Sequence, residues 1–368
     1  MNMGYYKKII FSSIAIFSII LVPSFDEFVF AQENLWETLP SMPISRSDYT
    51  GIVVDTKIYL IQGIDAENNF TVFDTSTGLY AELVPVPYFA HHSASAVYKG
   101  KIYVAGGCNF GHSCPTAAVY DIATNKWANL PDMPVPNWAA AAEIVNDEFF
   151  VMGGSPNEKT CQKYNITTNS WSICADLSTG REHLSSAVYD NKIYVINGRG
   201  GGSGDMTANE VYDPVTNSWK ILADKPTGMA GGSGGIFKNK IFVIGGENSL
   251  TGANEWYDPV ADTWITGPDM PTPRHGLVCE PTDSEIYCFG DGTVEGGGTS
   301  GVVEVFDVNS FFGVLIDPEI QTQIDPPTQK IPHWIKNTMQ WYIDGVISED
   351  EMILAIQYLI KEGIIKLD

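Results

Sequence analysis

Arg46, Arg181 and Arg274 stand at corresponding places when the chain is laid against itself, and His91, His92, His183 and His275 fall at or next to the following position. His112 and Arg199 lie in loops further on. Guanidinium groups give forked donors to carboxylates. Gathered on one surface, these side chains would bind an anionic or sugar-like ligand. They would serve equally well to brace neighbouring loops, and the sequence leaves both roles open. The run Cys108-Asn109-Phe110-Gly111-His112-Ser113-Cys114 offers two thiolates and an imidazole to zinc or copper, or two thiols to a disulfide. Asp344, Gly345, Ile347 and Glu351 match the fifth, sixth, eighth and twelfth places of a calcium loop. Gln340 and Tyr342, however, stand where its first and third carboxylates belong. The glycine runs at 200–204 and 296–298 are not followed by Lys and Ser/Thr and do not lead from a strand into a helix, so flexible loops are expected there and not phosphate cradles. No nucleophile–base pair stands out. No catalytic residue, metal or cofactor is therefore assigned.

Acids outnumber bases by 44 to 21 in 368 residues, a net charge of −23. This argues against nucleic acid and anionic membrane surfaces as partners. With 35 glycines and 12% aromatic residues, the composition suits many short strands joined by tight turns.

What must position the candidate residues is a repeat. Ile58-Tyr59-Leu60-Ile61-Gln62-Gly63 returns as Ile102-Tyr103-Val104-Ala105-Gly106-Gly107 and as Phe149-Phe150-Val151-Met152-Gly153-Gly154. It then recurs from Ile193, Ile241 and Ile286, so the intervals are 44, 47, 44, 48 and 45 residues. A second phrase follows each time: Tyr120-Asp121 with Trp127, Tyr164-Asn165 with Trp171, Tyr212-Asp213 with Trp219, Tyr257-Asp258 with Trp264. Blade 1 has the weaker pair Phe73 and Tyr80. A polar turn between each pair predicts a hairpin of strands c and d. This pattern, over roughly residues 34–308, resembles kelch repeats. The resemblance implies an all-β, six-bladed β-propeller, since one blade alone cannot bury both faces of its sheet. Phe306-Asp307 has no tryptophan seven residues on, because Gly313 stands there. Residues 36–43 match residues 127–134, so residues 34–39 are expected to supply strand d of blade 6 and close the ring.

The six cysteines fall in three blades as local pairs, Cys108 with Cys114, Cys161 with Cys174 and Cys279 with Cys288. An even count behind an export signal predicts three disulfides. That signal is residues 1–31. Lys7 and Lys8 precede an apolar run over 9–22, short for a spanning helix of about 20 residues, so cleavage is expected in preference to an uncleaved anchor helix, and Gln32 is expected to begin the mature chain. The propeller is assigned to 32–310 and a linker to 311–331. A small C-terminal α-helical hairpin is assigned to 332–368, with Pro332 opening the first helix and Ser348 and Glu351 capping the second. The phrase Ile331-Pro332-His333-Trp334-Ile335-Lys336-Asn337 with Trp341 and Asp344-Gly345 resembles a module at the ends of exported proteins of ammonia-oxidising archaea, which implies a cell-envelope setting. Asn69 and Asn165 head glycosylation sequons. The expected function is a secreted or cell-surface binding or scaffold module for a protein or glycan of the envelope, without membrane insertion after signal cleavage. The rival expectation comes from the kelch resemblance: some members are sialic-acid mutarotases and others copper-radical sugar oxidases. Fold alone establishes neither.

Overall fold

The computed structural model describes residues 35–109, 111–200, 204–247, 250–290, 292–294 and 297–316. The expected signal segment and the expected C-terminal hairpin lie outside the described residues. Among the described residues no helix is long and apolar enough to cross a membrane.

Six four-stranded antiparallel sheets succeed one another along the chain. In blade 3 the strands a to d are Ala141–Val145, Glu148–Met152, Cys161–Asn165 and Ser170–Ile173. Strand b of every blade is buried over its last four residues, which is why the repeat reads as an unbroken apolar run and not as an alternation. The double glycine ends strand b because the chain must then pass between two loops. A Cβ on Gly106 would sit 2.6 Å from the carbonyl of Asn137, and both Gly106 and Gly107 have positive φ. Gln62 and Asn197 take the first glycine's place and adopt the same left-handed conformation, with φ of 60° and 54°.

The second phrase is the blade's outer clasp. Tyr120 and Trp127 are direct cross-strand partners with ring centroids 5.1 Å apart, and Tyr164–Trp171, Tyr212–Trp219 and Tyr257–Trp264 repeat the pair. Each tyrosine hydroxyl donates to the turn residue five positions on: Asn125, Asn169, Asn217 or Asp262. Each indole donates to a carbonyl of the preceding blade: Val84, Pro131, Ala175 or Ala223. One residue thus holds its own hairpin and the neighbouring blade together.

Blade 6 joins the two ends of the ring. Strand Trp36–Leu39 pairs antiparallel with Val303–Asp307, placing Trp36 opposite Phe306. The Trp36 indole donates to Pro268 of blade 5 over 2.9 Å, as its four counterparts do to their neighbours. Beyond Asp307 the chain forms helix α1 (Val308–Ile316), with Asp307 accepting from Ser310 as its N-cap. Phe311 and Phe312 of this helix pack on Trp256. Residues 311–316, read from the sequence as the head of a linker, therefore continue the helix.

Two of the three expected disulfides form, Cys161–Cys174 and Cys279–Cys288. Each joins residues directly opposed in an antiparallel pair. Cys108 and Cys114 are not joined. In their hairpin Cys108 opposes Ser113, so Cys114 is one residue out of register. Its side chain therefore leaves from the other face of the ribbon.

Candidate functional site

The links from strand d of one blade to strand a of the next meet around the axis in a closed circuit of main-chain hydrogen bonds. His92 donates to Asp48, Ala139 to His92, His183 to Ala139, Gly231 to His183, Gly276 to Gly231 and Asp48 to Gly276, over 2.6–3.0 Å. Each blade contributes one residue. All six have left-handed φ, between 50° and 69°. Asp and His tolerate that region better than most residues, and glycine adopts it freely. The circuit fixes Asp48, His92 and His183 to one frame.

Above it lies a mouth of about 420 Å³, lined among others by Asp48, His91, His92, Trp138, His183, Arg199, Glu247 and His275. Asp48 Oδ1 lies 3.1 Å from His92 Nε2. His91 and His92 share a hydrogen between their Nδ1 atoms at 2.5 Å. The rings of His92 and His183 meet edge to face at 4.9 Å, and Trp138 packs on both, at 5.1 and 5.7 Å. Burial opposes ionisation of Asp48. The charge and hydrogen bond of His92, with His183 and His275 behind it, overcome that and hold the carboxyl well below its ordinary range. Burial also pulls His183 down, as do His92 and Arg199, against the pull of Glu182. Asp48, His92 and His183 bring three donor atoms within 4.8 Å of one another, an arrangement able to hold a metal ion.

The candidate residues thus divide. His91, His92, His183, His275 and Arg199 come together at the mouth. His275 is tucked beneath a loop, its Nε2 3.2 Å from the carbonyl of Val294. Arg46, Arg181 and Arg274 do not face the mouth as expected. Each is at most 1% exposed, because its guanidinium turns into the blade to satisfy carbonyls of strand b. Arg46 donates to Leu60, Gln62 and Asn69, and Arg181 to Val195 and Glu210. Arg274 donates to Cys288 and Glu304. His112 is exposed on the tip of its hairpin and is not among the residues lining the mouth. Arg199, the arginine that does line it, is held by Glu182 at 3.0 Å and by Glu247. The mouth is therefore an imidazole, indole and carboxylate cup and not a basic one. Of the sequons, Asn69 accepts from Arg46 and Thr71, and Asn165 caps the turn at Thr167 and Thr168.

Sequence reasoning missed Asp48, Trp138, Glu182 and Glu247. The signal was present: Asp48 stands in register with His92 and His183, and Trp138 with His91 and Glu182.

A second polar feature lies in the axial channel, a space of about 360 Å³ lined by the strands a. Glu143 and Glu280 occupy the same register in blades 3 and 6, on opposite sides of the axis. Glu143 accepts from Ser186 and Glu280 from the amide of Val53. Burial pushes the Glu143 carboxyl up to about 7. Burial, with the charge of Glu143 added, pushes Glu280 up to about 8. Both folded-state values exceed the ordinary value of about 4.3 in an unfolded chain. Their stabilising contribution is therefore full below about pH 4 and is lost as pH rises through 7 to 8. Glu143→Gln with Glu280→Gln is expected to remove an alkaline loss of about 1–3 kcal/mol, allowing for channel water. Urea midpoints of both proteins at acid and alkaline pH check this. Wild-type and variant curves that stay parallel would contradict it.

Comparison with known proteins bears on what such a mouth belongs to. Residues 91–290 match the family model described as KLHDC2/KLHL20/DRC7 Kelch-repeats domain. The chain is 29% identical over 194 residues to Kelch-like protein terF of Aspergillus terreus, covering 45% of this chain and 42% of that protein. It is 34% identical over 126 residues to Putative F-box/kelch-repeat protein At3g46050 of Arabidopsis thaliana, covering 32% and 34%. To Kelch repeat protein C2 of Vaccinia virus it is 29% identical over 165 residues, covering 42% and 31%. The chain thus spans less than half the length of these relatives. Among solved structures, the one titled Structure of YjhT superposes with a TM-score of 0.63 at 18% identity, covering 72% of this chain and 95% of that one, a likeness of fold alone.

Proposed function

The chain belongs to the kelch-repeat family, and from that premise we propose that it works as an exported binding module for a protein or glycan of the cell envelope, engaged at the mouth. The observation that carries this reading is the cup itself. A closed main-chain circuit holds imidazoles, a carboxylate and an indole around a space large enough for an inserted side chain or sugar ring. Trp138 supplies a flat apolar wall, and His91, His92 and Glu247 supply hydrogen-bonding groups on a rigid rim. A scaffold held rigid in this way loses little entropy when a partner docks. Two disulfides in the blades support an oxidising compartment, in keeping with the export signal expected at residues 1–31.

The mutarotase-type alternative drew on size, blade number and export, and on arginines and histidines at the mouth. Three of the four arginines turn inward, and Arg199 is already held by two glutamates. The cup suits an uncharged or cationic group better than an anionic one.

The test is retention of the full chain on a glycan array and on immobilised envelope proteins, for wild type and Trp138→Ala. The expected result is capture by wild type and at least a tenfold loss in the variant, about 1.4 kcal/mol, with unchanged thermal unfolding. Capture that persists undiminished in Trp138→Ala would move the partner off this face.

A further inference from the structure

We propose that Asp48, His92 and His183 form a site for a divalent transition-metal ion of the zinc type at the floor of the mouth. One carboxylate oxygen and two imidazole nitrogens lie within 4.8 Å of one another. An ion with bonds of about 2.0–2.2 Å sets its donors roughly 3–4 Å apart, and Asp48 Oδ1 and His92 Nε2 already stand at 3.1 Å. A mixed nitrogen and oxygen set favours zinc, iron, cobalt or nickel over magnesium or calcium.

The three ligands are supported alike, each by the residue just before it. Ser47 Oγ donates to Asp48 Oδ2 over 3.2 Å. His91 shares a hydrogen with His92 Nδ1. Glu182 Oε1 lies 3.4 Å from His183 Nδ1, a buried atom without a closer hydrogen-bond partner. Outer groups of this kind fix the tautomer and orientation of ligating imidazoles.

The other three positions of the circuit offer no ligand. Ala139, Gly231 and Gly276 carry no donor, and a Cβ on Gly231 would meet nothing nearer than 3.4 Å. Three protein ligands leave a coordination position for an outside ligand, in contrast to a closed structural site with four. That position faces the cup. The ion would thus hold a hydroxyl or carbonyl of the docked partner, a step that rests on the binding role proposed for the mouth. The ion site itself does not.

The test uses the full chain, stripped with chelator and titrated with zinc chloride in a calorimeter, then with cobalt chloride followed by visible absorption. One zinc per chain is expected. Asp48→Asn and His183→Gln should each weaken it more than about 100-fold, and Glu182→Gln, a positioning change, about 10- to 100-fold at unchanged stoichiometry. His112→Ala should change nothing. Circular dichroism confirms folding, and His92→Gln serves where His183→Gln fails to fold. Absence of zinc binding to wild type overturns the site. So does binding unchanged in Asp48→Asn, or a thiolate–cobalt band that disappears in Cys108→Ser. Zinc is titrated without a partner, so its failure leaves Trp138-dependent capture standing, and loss of capture leaves the ion site standing.

Discussion

Arg181→Ala is expected to lower the free energy of unfolding by about 3–5 kcal/mol. The guanidinium is fully buried and donates to Glu210 Oε1 at 2.7 Å, to the carbonyl of Thr179 at 2.7 Å and to that of Val195 at 3.0 Å. Removing it strands the Glu210 carboxylate, which keeps only the amides of Ser178 and Thr179. Much of the cost is that stranded charge, not the loss of the pair as such. Arg181→Met combined with Glu210→Leu should therefore lose less than Arg181→Ala alone. Urea denaturation of the three proteins decides it. A loss below about 1 kcal/mol in Arg181→Ala would mean that the pair is solvated. The same arrangement recurs as Lys225 with Glu255 and Arg274 with Glu304. These buried pairs pin the links that carry the mouth residues to their own blades.

Trp36→Ala should cost a similar amount, about 3–5 kcal/mol. The side chain is 4% exposed, packs on Phe306 at 4.9 Å and bonds across to blade 5. A mature chain begun at residue 40 should fare worse. It would leave Val303–Asp307 as an open sheet edge and remove the Trp36 bond to blade 5, and open edges recruit other strands. The expected result is self-association on gel filtration and a lower, broader thermal transition. A truncated chain that stays monomeric and melts like the parent would show that the N-terminal strand is dispensable to closure.

These two residues also mark where the sequence was readable and where it was not. Trp36 was legible because closure is a question of register, and residues 36–43 copy the phrase at 127–134. The Cys161–Cys174 and Cys279–Cys288 bridges were legible for the same reason, each pair being symmetric about its turn. The Cys108–Cys114 bridge was misjudged because its hairpin pairs Cys108 with Ser113, an offset of one that spacing alone does not reveal. The arginines were placed correctly along the chain, but alignment does not tell whether a side chain turns into a blade or out of it. The missing clue was on strand c, where Glu210, Glu255 and Glu304 sit in strands buried over their first four residues. A carboxylate buried there requires a cation, and the arginine or lysine in register supplies it. The histidines were found because they align. Asp48 aligns equally well, yet only the folded circuit shows that it shares a floor with His92 and His183.

That floor is what the proposed binding role stands on, and amide hydrogen exchange at single-residue resolution tests it most directly. If the circuit exists, the amides of Asp48, His92, Ala139, His183, Gly231 and Gly276 should exchange together. They should do so only at the rate of global unfolding, alongside those of the buried strands b. Exchange of these six at loop rates, while the strands b stay protected, would mean that the mouth has no fixed base and that its histidines are not held for a ligand.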